Sequence, residues 1–147
     1  MRSARPASAE ETELFATAEQ ARTNSYAEYS GFRVGAALRM VTGEVITGAN
    51  FENASYGLTI CAERSAVGSA VAQGLIRNAI ERGADPKDPA CLACIAIAAS
   101  ADTVPPCGAC RQVLAQFAAP GMRVVFPRAG TLQSVELTEL IPERFKL

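Results

Sequence analysis

Apolar and polar positions alternate with two periods along this chain, and the switches between them outline its elements. In "SAEETELFATAEQARTNS" Leu14, Phe15, Ala18 and Ala21 recur at helical spacing among charged positions, which predicts an amphipathic helix. Ser8 stands as its N-cap with Glu11 three residues on, the reciprocal capping pattern. The residues ahead of it carry no period and read as a loose tail over 1–8. "FRVGAALRM" and "EVITGANF" are strand-like and flank Thr42-Gly43, which predicts a hairpin. "CAERSAVGSAVAQG" is helical again, its Ala and Ser content suited to close packing on a sheet and Gly74 placed just past its end.

Beyond Gly74, "LIRNAIERG" predicts a second short helix and "ADPKDPA" a loop. "CIAIAAS" is an unbroken apolar run of strand length, as expected for a strand covered on both faces. A turn and helix follow in "PPCGACRQVLAQFA", ended by Pro120-Gly121; then come a strand "MRVVF" and the closing "SVEL" and "LTELIPERF". With no repeat and no Pro- or Gly-rich linker, residues 1–147 are expected to form a single α/β domain around a mixed sheet.

Charge and composition narrow what such a domain can do. Fourteen basic against fifteen acidic residues leave a net charge of −1, which disfavours a nucleic-acid polymer as partner. No apolar run approaches the ~20 residues of a membrane span, and the first ten residues lack a signal peptide's apolar stretch. A cytoplasmic protein is therefore expected, with reduced thiols and no membrane partner. Histidine is absent, so Ser-His-Asp, Cys-His and HExxH chemistries are excluded. Any general acid or base must be a carboxylate, Lys, Tyr or Cys, and any transition-metal site must use thiolates and carboxylates.

Five cysteines supply two Cys-x-x-Cys pairs, Cys91/Cys94 and Cys107/Cys110. Alone, the spacing fits a metal site, a redox pair or small buried side chains. Cys107 and Cys110 span about one turn, so two thiolates can converge on one ion. Cys61 also opens a predicted helix, where free N–H groups and the positive dipole end favour a thiolate. Three protein ligands leave the open position of a catalytic zinc. Glu63, two residues past Cys61, is placed to move protons at that metal. Three thiolates on Zn²⁺ leave a net negative charge, which Arg64 and Arg111 could offset by donating to sulfur. Cys94 begins an apolar strand and reads as a buried hydrophobe, with Cys91 beside the 74–94 segment.

"CAE" followed by "PCGAC" fits the zinc-deaminase signature with Cys in the first ligand position. Together with "YSGFRVGAAL", "GANFENASYG", "CAERSA", "PCGACRQVL" and "ELIPERF", it makes the chain resemble the small homotetrameric cytidine deaminases from about residue 10 to 145. That resemblance implies a three-layer fold with a mixed sheet of about five strands flanked by helices. It also implies one Zn²⁺ per chain on Cys61, Cys107 and Cys110, with Glu63 as proton shuttle. Asn50 and Glu52 match the pair that bonds the ribose hydroxyls. Phe32 matches an aromatic near the nucleoside, and Ala62 a residue whose backbone meets the base. Phe145 matches an aromatic lent by a neighbouring subunit, and Tyr56 a tyrosine at the subunit border. The implied activity is hydrolytic deamination of cytidine and 2′-deoxycytidine in pyrimidine salvage. The segment from Gly74 to Cys94 is longer than similar enzymes usually have and reads as a surface insertion. The runner-up within the class is a deaminase of a modified cytosine nucleoside such as blasticidin S. Outside it stands a structural-zinc or redox protein.

Overall fold

A computed structural model describes residues 1–147. Six strands form one sheet in the order β1-β6-β5-β4-β2-β3, one more than expected. They are β1 (Arg5–Pro6), β2 (Val34–Met40), β3 (Val45–Ala49), β4 (Leu92–Ala99), β5 (Ala118–Arg128) and β6 (Thr131–Glu136). Only β4 and β5 run parallel, joined by α4 (Gly108–Phe117); all other neighbours are antiparallel.

Helices cover both faces, which gives three layers. On one face lies α1 (Ala9–Arg22), whose Leu14 and Ala18 pack on Ala37, Cys94, Ala96, Ala98 and Val125. The other face carries the larger core beneath α2 (Ala62–Ala72), α3 (Leu75–Glu81), α4 and α5 (Leu137–Leu140). Strand β4 runs through the middle, and every residue of it except Ala93 is buried, as its unbroken apolar run requires.

Two glycines set the helix-to-sheet spacing. A Cβ on Gly35 would lie 2.1 Å from the Ala18 carbonyl oxygen, and one on Gly48 would lie 2.4 Å from that of Ala62. The backbones of β2 and β3 therefore touch α1 and α2 directly, on opposite faces.

Three local expectations are corrected. The segment before α1 is not loose: Arg5 and Pro6 pair with Ser134 and Gln133 of β6. The Ser3 N–H and hydroxyl both donate to Glu139, at 2.9 Å each. The 74–94 segment is not purely superficial, because α3 sends Ile76 into the main core. Finally, α4 ends at Phe117, ahead of Pro120-Gly121. Ala118 already pairs with Leu92, while Arg123 pairs with Cys94, so residues between them bulge out of register.

The N-terminal strand also explains a buried charge. Glu11 completes the capping box with Ser8 and in addition accepts from Arg5, at 2.8 and 2.9 Å, and from the Ser134 hydroxyl. Burial alone would raise its pKa, but the bonds from Arg5, Ser8 and Ser134 prevail and hold it at about 2, against an ordinary 4.5. A carboxyl depressed on folding contributes stability that is complete above the unfolded pKa and lost as pH falls toward the folded one. Arg5 is half exposed, so screening trims the contribution to on the order of 2 kcal/mol. Urea midpoints of the wild type should thus decline between pH 5 and pH 2 by more than those of Glu11→Gln. Parallel pH profiles for the two proteins would refute this role.

Candidate active site

Two helix starts meet at one end of the sheet. Cys61 is the N-cap of α2 and Cys107 the N-cap of α4, both with extended backbone, and Cys110 lies in the first turn of α4. The three sulfurs all lie within 4.8 Å of one another, with Cys61–Cys107 at 3.9 Å and Cys107–Cys110 at 3.4 Å. Tetrahedral zinc with Zn–S bonds of about 2.3 Å requires sulfurs roughly 3.8 Å apart, so the triangle fits the ion. The donor set fits as well, because three thiolates without histidine are a recognised zinc environment.

Charge is distributed unevenly over the cluster. Hydrogen bonding from Cys110, then from Arg64, holds the Cys61 thiol down at about 5 against the opposing effect of burial. The same contact with Cys61, together with burial and Glu63, raises the Cys110 thiol. The Arg64 Nη2 lies 3.6 Å from the Cys61 sulfur and 3.4 Å from the Thr59 carbonyl oxygen, while its buried Nε has no partner. Arg111 departs from its expected role. Its guanidinium donates to the carbonyls of Pro106 and Leu140, each at 2.8 Å, and so braces the turn before Cys107 instead of meeting a sulfur.

Glu63 sits in the first turn of α2, 5 % exposed, with Oε2 accepting from the Cys110 thiol at 2.9 Å. Burial raises its pKa, the direction that suits a group exchanging protons near neutral pH. A ligating cysteine gives up its proton, which frees Oε2 for other partners once metal binds.

A cleft of about 250 Å³ opens beside this cluster, and its lining brings Cys61, Ala62, Glu63 and Cys107 together with Phe32, Asn50 and Glu52. Buried Asn50 accepts at Oδ1 from the Val34 N–H and the Ser25 hydroxyl, and its Nδ2 donates to the Phe32 carbonyl. One Nδ2 hydrogen is left to point elsewhere. Tyr56 lies outside the cleft, edge-on to Tyr29 at 6.0 Å, over a neighbouring surface hollow that also touches Glu52. Phe145 is not brought to the cleft of its own chain. It is 69 % exposed beside α4, where its carbonyl accepts from Gln112. A larger cleft of about 530 Å³ lies between the C-terminal segment and β5, and the three-cysteine cluster is not part of its lining.

The second Cys-x-x-Cys pair assembles nothing. Cys91 and Cys94 are buried in separate apolar clusters, and burial pushes the Cys94 thiol up to about 11. Sequence reasoning assigned no part to Ser25, Ser30, Thr59 or Gly48, all of which bear on the cleft or its supports. Only Ser30 and Gly48 gave any signal, as the small residues inside "YSGF" and "TGANF".

Comparison with known proteins agrees with this geometry. Residues 8–126 match the cytidine and deoxycytidylate deaminase zinc-binding region. The cytidine deaminase of Halalkalibacterium halodurans is 45 % identical over 136 residues, covering 90 % of this chain and 91 % of that protein. The crystal structure of cytidine deaminase from Burkholderia pseudomallei superposes with a TM-score of 0.76 at 39 % identity, over 91 % of this chain and 98 % of that one. The blasticidin-S deaminase of Bacillus cereus is more distant, 31 % identical over 94 % of each protein. A Cys61–Cys107–Cys110 triangle with Glu63 against it, on a sheet and helix arrangement shared along almost the whole chain, places this protein in the cytidine and deoxycytidylate deaminase family.

Proposed function

We propose that the protein deaminates cytidine and 2′-deoxycytidine hydrolytically, giving uridine or 2′-deoxyuridine and ammonia, as a step of pyrimidine salvage. The observation that carries this reading is one cleft whose lining joins Cys61 and Cys107 of the three-cysteine cluster, and Glu63 beside them, to Asn50 and Glu52.

Cys61, Cys107 and Cys110 would hold one Zn²⁺ per chain, which when bound acidifies a water and supplies a nucleophile near neutral pH. Glu63 accepts a proton from the attacking water at a carboxylate oxygen and delivers it to N3 of the pyrimidine as oxygen adds at C4. It then carries the second water proton to the amino group, which leaves as ammonia. Arg64 offsets the negative charge of the thiolates, and Arg111 acts one step removed by bracing Pro106.

In the same cleft, the free Nδ2 hydrogen of Asn50 donates to a ribose hydroxyl while Glu52 accepts from one. Phe32 packs along the nucleoside and the Ala62 backbone meets the base. A 5′-phosphate would meet the negative charge of Glu52, which disfavours nucleotides. Phe145 and Tyr56 are exposed apolar side chains suited to a subunit border, as a homotetramer with shared sites would use them. A thiol-only metal site calls for a reducing compartment, which supports action in the cytoplasm; no helix is long and apolar enough to cross a membrane.

The test is a panel of cytidine, 2′-deoxycytidine, CMP, cytosine and blasticidin S, followed by absorbance. The two nucleosides should be consumed, cytosine left intact and CMP turned over poorly. Consumption of blasticidin S with cytidine untouched would transfer the assignment to the modified nucleoside. Turnover of none, at one zinc per chain, would leave a structural-zinc protein.

A further inference from the structure

We propose that Ser30 is a positioning residue for substrate recognition, holding Glu52 and Phe32 in one fixed relation; this rests on the nucleoside reading above. Glu52 is not a free carboxylate at the rim of the cleft. Its Oε1 accepts from the backbone N–H groups of Tyr29 and Ser30, at 2.9 and 3.1 Å, and its Oε2 accepts from the Ser30 hydroxyl. The same hydroxyl accepts from the Phe32 N–H at 3.0 Å. Its single proton therefore goes to Glu52 and a lone pair goes to the Phe32 backbone.

The backbone is shaped for this. Gly31 adopts φ +73 and its N–H bonds the Ala27 carbonyl at 2.8 Å, which folds the chain so that Phe32 comes back over Ser30. Ser30 lines both the cleft that holds Phe32, Asn50 and Glu63 and the neighbouring hollow that holds Tyr29 and Tyr56. One hydroxyl thus links the aromatic beside the nucleoside to the carboxylate assigned to the sugar. The Ser30 hydroxyl, followed by the backbone N–H of the same residue, also lowers the Glu52 pKa, the direction that favours its acceptor form. With Oε1 engaged twice by backbone, Ser30 decides the orientation of Oε2, the oxygen with capacity left for a sugar hydroxyl.

Steady-state kinetics with cytidine test the assignment. Ser30→Ala should raise KM about ten-fold with a much smaller change in kcat, and Ser30→Thr, which retains the hydroxyl, should recover most of the loss. In a Glu52→Ala background the same Ser30→Ala change should alter KM by less than about two-fold, because the link from Glu52 to Phe32 is already broken and only the bond from the Phe32 N–H is left to lose. Zinc content and melting temperature, measured alongside, should stay at wild-type values. A Ser30→Ala enzyme with wild-type KM, or one with the same penalty whether or not Glu52 is present, overturns the proposal while leaving the deaminase reading intact. A wild-type protein that turns over no cytosine nucleoside overturns both.

Discussion

Replacement of Glu63 by Gln is expected to lower kcat for cytidine by about 10⁴-fold while leaving the zinc content at its wild-type level. The size follows from the number of proton transfers assigned to this one carboxyl. Under the proposed mechanism it takes a proton from water, protonates N3 and then protonates the leaving amine, and Gln can do none of these. A 10⁴-fold loss corresponds to about 5.5 kcal/mol of transition-state stabilisation. Zinc should remain because Glu63 is not among the three converging ligands. KM should move little, since the amide keeps the shape of the side chain. Stability should hold or rise, because burial disfavours the charged carboxylate at this position and the amide removes that charge. Metal analysis, thermal melting and single-turnover absorbance on the same preparation separate these effects. Retention of a tenth or more of wild-type kcat would remove Glu63 from the chemistry.

Gly48→Ala is expected to cost roughly 3 kcal/mol of stability and to lower both zinc affinity and kcat, although residue 48 touches no substrate. The added Cβ would lie 2.4 Å from the Ala62 carbonyl oxygen and 2.4 Å from the Ala66 nitrogen. Both are backbone atoms, so no rotamer change relieves the overlap and α2 must move off β3. That helix carries Cys61 at its N-cap and Glu63 in its first turn, so its displacement opens the sulfur triangle and shifts the Glu63 carboxyl together. Gly68→Ala in α2 itself is the control. Gly68 is exposed and a Cβ there meets nothing within 4 Å, so the change should stabilise by up to about 1 kcal/mol through helix propensity. Urea denaturation of the two variants, with zinc titration of each, checks the contrast. Equal stability of the two would show that β3 does not rest on α2 as described.

Much of this architecture was legible because its causes are local. The capping of α1 by Ser8 and Glu11 needs only four consecutive residues, and the burial of β4 follows from its own apolar run. Gly74 ends α2 in the left-handed conformation, with φ +81, as a residue without Cβ can. The cysteine cluster was legible for a related reason. Cys61 and Cys107 each begin a helix, and both CxE and PCxxC keep their reactive groups within one turn.

What the sequence did not reveal depends on partners distant along the chain. Arg5 and Ser3 looked like a free tail because their partners, Ser134 and Glu139, lie more than a hundred residues away. Arg111 looked equivalent to Arg64, since each follows a cysteine closely, yet only the packing of α5 offers it the Leu140 carbonyl. Composition and motif order by themselves determined the α/β class and the exclusion of histidine chemistry, and they singled out Cys61, Cys107 and Cys110 as candidate ligands with Glu63 as candidate proton carrier. The tertiary structure alone decided which glycines lie against helix backbone, which arginine reaches sulfur, and that Ser30 ties Glu52 to Phe32. Periodicity and short motifs encode what a residue does within its own turn or strand, whereas clearance and hydrogen-bond partnership exist only once separate segments have been brought together.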